Sequence, residues 1–411
     1  MRKPELLAPA GDLIKLKSAI DYGADAVYMG GKYLSLRTAS DNFSLEEMEN
    51  GISYAHSFGK KCYIAMNILA HNRDLEGIEE YIQNIYKIGA DGVIVSDMGI
   101  VDIIRKTCPD LDIHISTQSS VTNSATVNFL KNIGVKRIVL ARELSLEEIK
   151  DITTAHPDIE IETFVHGAMC MSYSGRCLLS NFMTGRASNK GDCAQPCRWE
   201  YSVMESKRPG EYLPVLEDER GTYIFNSKDL CMIEHIDKLI DAGIASLKIE
   251  GRVKSEYYVA SVVKAYRTAI DDYLAGKPFN PELKNDVEKA SHRYYTTGFY
   301  FGRPDSNAQV YSTSSYVRTY TLYGIVTGYD DENKELIVSQ RNKFIKGEEI
   351  EILSPDTPCT VITADYLKDK NGNEIESAPH PSMEVRIPCS FKVKEGSFIR
   401  GKNKNYKPEE K

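Results

Sequence analysis

No apolar run in this sequence approaches the roughly 18 residues that a membrane-crossing helix requires, so no membrane partner is expected. Met1-Arg2-Lys3-Pro4-Glu5 runs into only a short apolar stretch and does not read as a secretory signal; a cytoplasmic address is the expectation. Excess positive charge is missing too. The net charge is −8, whereas a general nucleic-acid binder carries a basic footprint. Neither the HExxH of zinc hydrolases nor the GxSxG of serine hydrolases is present. No GxGxxG follows the first apolar segment, where Ala8-Pro9-Ala10-Gly11-Asp12 stands instead, so a dinucleotide site is unsupported.

What is present is a repeat. An amphipathic helical stretch ends in Gly, often followed by Ala-Asp, and runs into a short apolar strand. Gly23-Ala24-Asp25, Gly89-Ala90-Asp91, Gly134 and Gly243 mark four such junctions. Glycine suits a helix C-terminus because it takes the left-handed conformation without strain. Ser44 with Glu47, and Ser145 with Glu148, read as capping boxes that start helices. Candidate strands are Glu5–Ala8, Ala26–Met29, Cys62–Met66, Val93–Val95, Ile113–Ser116, Arg137–Leu140, Ile159–Val165 and Ala245–Ile249. Eight strands alternating with helices predict an α/β fold, a (β/α)8 TIM-like barrel, with an open doubly wound sheet as the rival.

The expected barrel domain covers 1–295, with a cysteine-rich insertion, 167–241, between the seventh and eighth strands. Long excursions from a strand's C-terminal end sit where barrel enzymes place their sites. A linker is expected over 296–320. A small all-β barrel domain over 321–411 is expected to follow, ending in a basic tail. In that tail Lys392, Lys394, Arg400, Lys402, Lys404, Lys407 and Lys411 outnumber Glu395, Glu409 and Glu410. A solvated tail and a phosphate-facing one fit it equally.

Four of the nine cysteines, Cys170, Cys177, Cys193 and Cys197, fall in one window, spaced C-x6-C-x15-C-x3-C and surrounded by Gly167, Gly175, Gly185 and Gly191. In a reducing compartment such clustering points to metal or redox chemistry rather than disulfides. Four thiolates suit zinc or an iron–sulfur cluster, and the wide first pair favours the larger centre. Reduced structural thiols are the plain alternative. Cys62 reads as core, Cys231 as core or a reserve ligand, and Cys108, Cys359 and Cys389 as isolated.

The run Glu162-Thr163-Phe164-Val165-His166-Gly167-Ala168-Met169-Cys170-Met171-Ser172-Tyr173-Ser174-Gly175-Arg176-Cys177-Leu178-Leu179-Ser180 resembles the collagenase-like peptidase family, family U32. So do Leu6-Leu7-Ala8-Pro9-Ala10-Gly11, Gly191-Asp192-Cys193-Ala194-Gln195-Pro196-Cys197-Arg198-Trp199 and Ser246-Leu247-Lys248-Ile249-Glu250-Gly251-Arg252. The resemblance spans nearly the whole chain and is strongest to its branch of prephenate-dependent tRNA uridine hydroxylases. It implies a [4Fe-4S] cluster on Cys170, Cys177, Cys193 and Cys197, with Cys197 the ligand that some relatives replace by a later cysteine. It further implies prephenate as cosubstrate, the anticodon loop of tRNA as partner, and 5-hydroxyuridine at the wobble position as product. Some relatives pair with a shorter paralogous subunit, and others act on ribosomal RNA or a ubiquinone precursor.

Prephenate carries two carboxylates, which guanidinium groups bind in bidentate fashion. Arg37, Arg142 and Arg252 lie near strand C-terminal ends and are the candidates for that task. Asn67, Gln118, His166 and Glu250 lie at corresponding ends and are the catalytic candidates. Each also suits a structural post at the barrel rim. Tyr294, Tyr295 and Tyr300 offer faces for an extruded base, and Arg176, Arg186, Lys190 and Arg198 offer charge for phosphates. Packing tyrosines would look the same. A cysteine peptidase would instead need a low-pKa thiolate beside a histidine, which only His166 near Cys170 suggests. A cluster-bearing scaffold without turnover is the third class of reading.

Overall fold

The computed structural model describes residues 3–35, 42–170, 172–199, 202–204, 212–214, 227–302 and 316–406. Eight parallel strands form the barrel: β1 (Glu5–Ala10), β2 (Ala26–Gly30), β3 (Lys61–Met66), β4 (Gly92–Val95), β5 (Ile113–Ile115), β6 (Arg137–Val139), β7 (Glu160–Ala168) and β8 (Ser246–Ile249). The last strand closes the ring, with Ser246 opposite Glu5 on one side and Glu162 on the other. The sheet is therefore a barrel and not the open doubly wound alternative.

The repeated Gly-Ala-Asp has a local cause. Gly23 takes φ 107° after the helix Leu13–Asp21, and the Ala24 N–H returns to the Ala19 carbonyl at 3.0 Å, ending the helix. The Asp25 carboxylate then accepts from the Leu6 N–H of β1 at 3.1 Å. Asp91 does the same for the Cys62 N–H of β3 at 2.8 Å. One tripeptide thus stops a helix and ties the next strand to its neighbour.

Apolar side chains between the strands and the surrounding helices make the main core, to which the helix Glu256–Leu274 contributes a face that is apolar and aromatic apart from Ser261. The lumen is different. Around Leu7, Ala26, Tyr28, Tyr63 and Ile94 it holds a closed ionic network. Arg137 pairs with Glu5 at 2.5 Å, Glu160 at 2.7 Å and Glu162 at 3.2 Å, and Lys248 pairs with Glu162 at 2.8 Å. Burial pushes the Glu162 carboxyl up, but Lys248 and Arg137 outweigh it and hold the group below its ordinary range.

The C-terminal domain corrects an expectation. Eight of its ten strands form an open sheet, ordered Thr360–Thr363, Glu349–Leu353, Phe398–Lys402, Tyr320–Asp330, Glu335–Gln340, Glu384–Pro388, Leu367–Asp369 and Glu374–Ile375, and Phe344–Ile345 pairs separately with Ser377–Ala378. No pairing joins the two end strands, so this is not a closed small all-β barrel. Closure needs strand tilt and stagger that bring the first and last strands into register. Here the ends are strands of four and two residues, too short to wrap round.

Arg400, counted above in a basic tail, is instead a strand residue with no solvent exposure. It reaches from the open sheet to Asp286 of the barrel domain at 2.8 Å and to Glu351 at 2.9 Å. Tyr22 adds an O–H bond to the Leu353 carbonyl at 2.8 Å. Lys392, Lys394 and Lys404 pair with Asp331, Asp21 and Glu348. Lys407, Glu409, Glu410 and Lys411 lie outside the described residues. Within 296–320, Tyr295–Thr296 pairs with the short strand Asp229–Cys231, and Val317 bridges to His292; residues 303–315 are likewise outside. Among the described residues no helix is long and apolar enough to cross a membrane.

Candidate functional site

A cavity of about 220 Å³ opens at the C-terminal end of the barrel. Its lining includes all four clustered cysteines together with Asn67, Gln118, Arg142, Glu250 and Arg252. Two glycines let the cysteine loop come this close. At Gly167, with φ 106°, a Cβ would stand 2.7 Å from the Glu250 carbonyl oxygen. At Gly175, with φ 77°, it would stand 2.9 Å from the Gln118 Cγ. Any side chain there would push the loop off the rim.

Cys170 follows β7 directly and is exposed; Cys177, Cys193 and Cys197 are half-buried. Ser188 donates to the Cys177 carbonyl at 2.6 Å, and the Ala194 N–H donates to Ser180 Oγ at 3.0 Å. Gln195, at φ 56°, turns its N–H onto the Cys193 sulfur at 3.3 Å. Lys190 pins the loop to Asp74 at 2.5 Å. None of the nine cysteines forms a disulfide.

These thiols suit a metal centre. Zinc held by thiolates at about 2.3 Å needs sulfurs about 3.8 Å apart. Among the described residues only Asp286, Glu351 and Cys359 bring three ligand-type atoms within 4.8 Å of one another. The Asp286 group is already neutralised by Arg400 and Lys289.

Arg142 stacks on Phe164, its guanidinium carbon 3.7 Å from the ring centre, and donates to the Ala168 carbonyl at 2.5 Å. Its buried Nε has no hydrogen-bond partner. Arg252 is buried and donates to Ser35 Oγ at 2.9 Å and Asn42 Oδ1 at 2.6 Å. Arg37 lies outside the described residues. Asn67 accepts from Ser96 Oγ at its carbonyl, 2.9 Å away, and Gln118 bonds to Ser116 Oγ. The buried Glu250 takes its place through its own N–H on the His166 carbonyl at 2.9 Å and through Tyr258, whose hydroxyl donates to its carbonyl at 3.1 Å. Lys248 and Lys254 also line the cavity and were missed in the sequence. Lys248 was detectable as a lone charge in the apolar strand Ser246–Ile249. With four cationic side chains and one carboxylate, the lining suits an anion.

His166 is not in this lining. It is fully buried beside Tyr266 and Tyr295, whose hydroxyls lie 3.3 Å and 3.4 Å from Nδ1 and Nε2. Burial, aided by His292 and Lys254, pulls its pKa down to about 3. A group neutral when folded, yet protonated near 6.5 when unfolded, stabilises the fold above pH 6.5 and loses that contribution as pH falls towards 3. Denaturant midpoints should therefore decline from pH 6.5 downward, and His166→Phe should flatten that decline. An unchanged slope would refute this account of the imidazole.

Tyr300 is likewise a packing residue, its hydroxyl donating to the Phe164 carbonyl at 2.7 Å, whereas Tyr294 is exposed. Arg186 pairs with Asp192 at 2.7 Å, Arg176 is exposed, and the side chain of Arg198 is outside the described residues.

Barrel, cavity and cysteine loop together define a (β/α)8 protein with a cysteine-rich, cation-lined mouth. Residues 11–310 match the model of peptidase family U32, and residues 318–400 match that of the family's C-terminal domain. The chain belongs to peptidase family U32. It is 41% identical to tRNA hydroxylation protein P1 of Bacillus subtilis over 97% of this chain and 95% of that one. It is 40% identical to tRNA hydroxylation protein P of Escherichia coli over 94% of each. An uncharacterized protease of Methanocaldococcus jannaschii is 44% identical over 96% of this chain and 97% of its own length.

Proposed function

We propose that this protein hydroxylates the wobble uridine of tRNA to 5-hydroxyuridine, with prephenate as cosubstrate and a [4Fe-4S] cluster on Cys170, Cys177, Cys193 and Cys197. One observation carries the reading: a single cavity at the barrel mouth unites four cysteines with amide, carboxylate and cationic side chains. The two relatives named as tRNA hydroxylation proteins supply the substrate class.

Bound there, the cluster would supply electron transfer or polarise an oxygen-bearing cosubstrate. The protein's own groups do the rest. Arg142, with an unpartnered Nε, and Arg252 hold carboxylate. Asn67 and Gln118 present both donor and acceptor atoms, as the edge of an extruded uracil requires. Glu250 accepts a proton at the cavity wall. A peptidase would need a thiolate beside an imidazole, and His166 faces two tyrosine hydroxyls instead.

Anaerobically purified protein should be brown and carry about four iron atoms per chain. Nucleosides of tRNA from a deletion strain should lack 5-hydroxyuridine and its derivatives, and the wild-type chain should restore them. Colourless protein with stoichiometric zinc would remove the cluster, and an unchanged nucleoside profile would remove the hydroxylase.

A further inference from the structure

The helix Leu179–Thr184, between Cys177 and Cys193, is built inside out. Its fully buried residue is Ser180, while Phe182 is 83% exposed. Leu178 and Met183 are about half exposed beside it. The turn Pro196–Arg198 packs against this helix and presents Trp199, the only tryptophan of the chain, at 46% exposure. Tyr173, 44% exposed, lines the cavity on the same insertion. Folding gains nothing by leaving such side chains in water, and large apolar side chains exposed together on one small segment mark a binding face.

Charge selects the occupant. Between residues 172 and 199 four basic residues stand against one acidic residue, in a protein of net charge −8. Arg176 is exposed, and among the described residues Arg186 is held by the half-exposed Asp192, a pairing that phosphate can replace at little cost. Aromatic rings among cations are the composition of a single-stranded nucleic-acid platform, where bases stack on rings and phosphates meet guanidinium groups.

From this we infer that Tyr173, Phe182, Met183 and Trp199 form a stacking face for the unpaired bases that flank the base entering the cavity. The inference rests on the RNA-modifying reading above and adds the surface that recognises the loop. It also gives the cysteine insertion a second task, since the segment that holds the four thiols presents the platform beside them.

The test uses the whole protein and two synthetic RNAs, a uridine-containing stem-loop and the same stem closed as a blunt duplex. Titration with the stem-loop should quench the Trp199 emission, and the duplex should leave it nearly unchanged. The double substitution Phe182→Ala, Met183→Ala should weaken stem-loop binding by about tenfold or more, with iron content and thermal midpoint unaltered. Binding within about twofold of wild type, or an emission that does not respond, overturns the inference. So does a double variant that keeps RNA affinity but loses association with a second polypeptide, which would make the face a protein interface. If the wild-type chain restores 5-hydroxyuridine while the double variant binds RNA normally, only the stacking face is lost. If the wild-type chain restores nothing, the hydroxylase reading itself fails.

Discussion

Glu162→Gln should destabilise the protein by about 3–5 kcal/mol, the cost of stripping one partner from a buried ion pair. Glu162 is the only acid paired with Lys248 among the described ion pairs, and both side chains are almost wholly buried. Arg137 would keep Glu5 and Glu160; Lys248 would keep no counter-charge. The double variant Glu162→Gln, Lys248→Met should recover most of the loss, because removing both charges also removes their desolvation cost. The pH dependence has a definite sign. A carboxyl held below its ordinary pKa stabilises the fold at neutral pH, and that contribution goes as pH falls through about 4.3 and below. The glutamine variant should lack this arm. Urea unfolding of the four species of the cycle checks both points; a single-variant loss under about 1 kcal/mol would mean water already reaches the pair.

The barrel was legible because its signals are local. A glycine that ends a helix and an aspartate that ties the next strand act within a few residues, so eight strands could be placed within about three residues of their positions. The C-terminal sheet shows the opposite case. Its strands were visible as alternating segments, but whether the first and last of them meet depends on stagger accumulated over the sheet. Arg400 shows the same limit for charge: a count of lysines and arginines does not reveal that Asp286, over a hundred residues earlier, takes one of them out of water.

At the cavity, Asn67 and Glu250 stand one residue beyond their strands and Arg142 three residues beyond β6, and all three line it. His166 lies outside the cavity lining, within β7, which runs three residues past the expected end at Val165. The strand Asp229–Cys231 then pairs antiparallel with His166, Gly167 and Ala168, while Tyr258, Tyr266 and Tyr295 pack around the imidazole. That partner comes from the far side of the insertion, so no local pattern announced it. Lys248 was passed over for another reason: a single charge in a strand pointing into a barrel looks like an error unless its acid on the neighbouring strand is seen.

Cys197→Ser should reduce tRNA hydroxylation by at least about a hundredfold, since loss of outer-shell contacts alone costs metal sites 10–100-fold. Cys197 is the decisive cysteine because another thiol, Cys231, was a candidate to replace it. The fold argues against replacement. Cys231 lies on the strand opposite His166, outside the cavity lining, with its sulfur 4.0 Å from the Tyr266 hydroxyl. Burial pushes its pKa up to about 12, so it is a protonated core thiol where a ligand must be a thiolate. Cys231→Ser should therefore keep full iron content and hydroxylation, and Cys197→Ser should lose both whether or not Cys231 is present. Iron per chain and the 5-hydroxyuridine content of tRNA from complemented deletion strains measure the two effects separately. Retained iron in Cys197→Ser that vanishes only when Cys231 is also replaced would show that the strand Asp229–Cys231 peels from β7 to deliver its thiol.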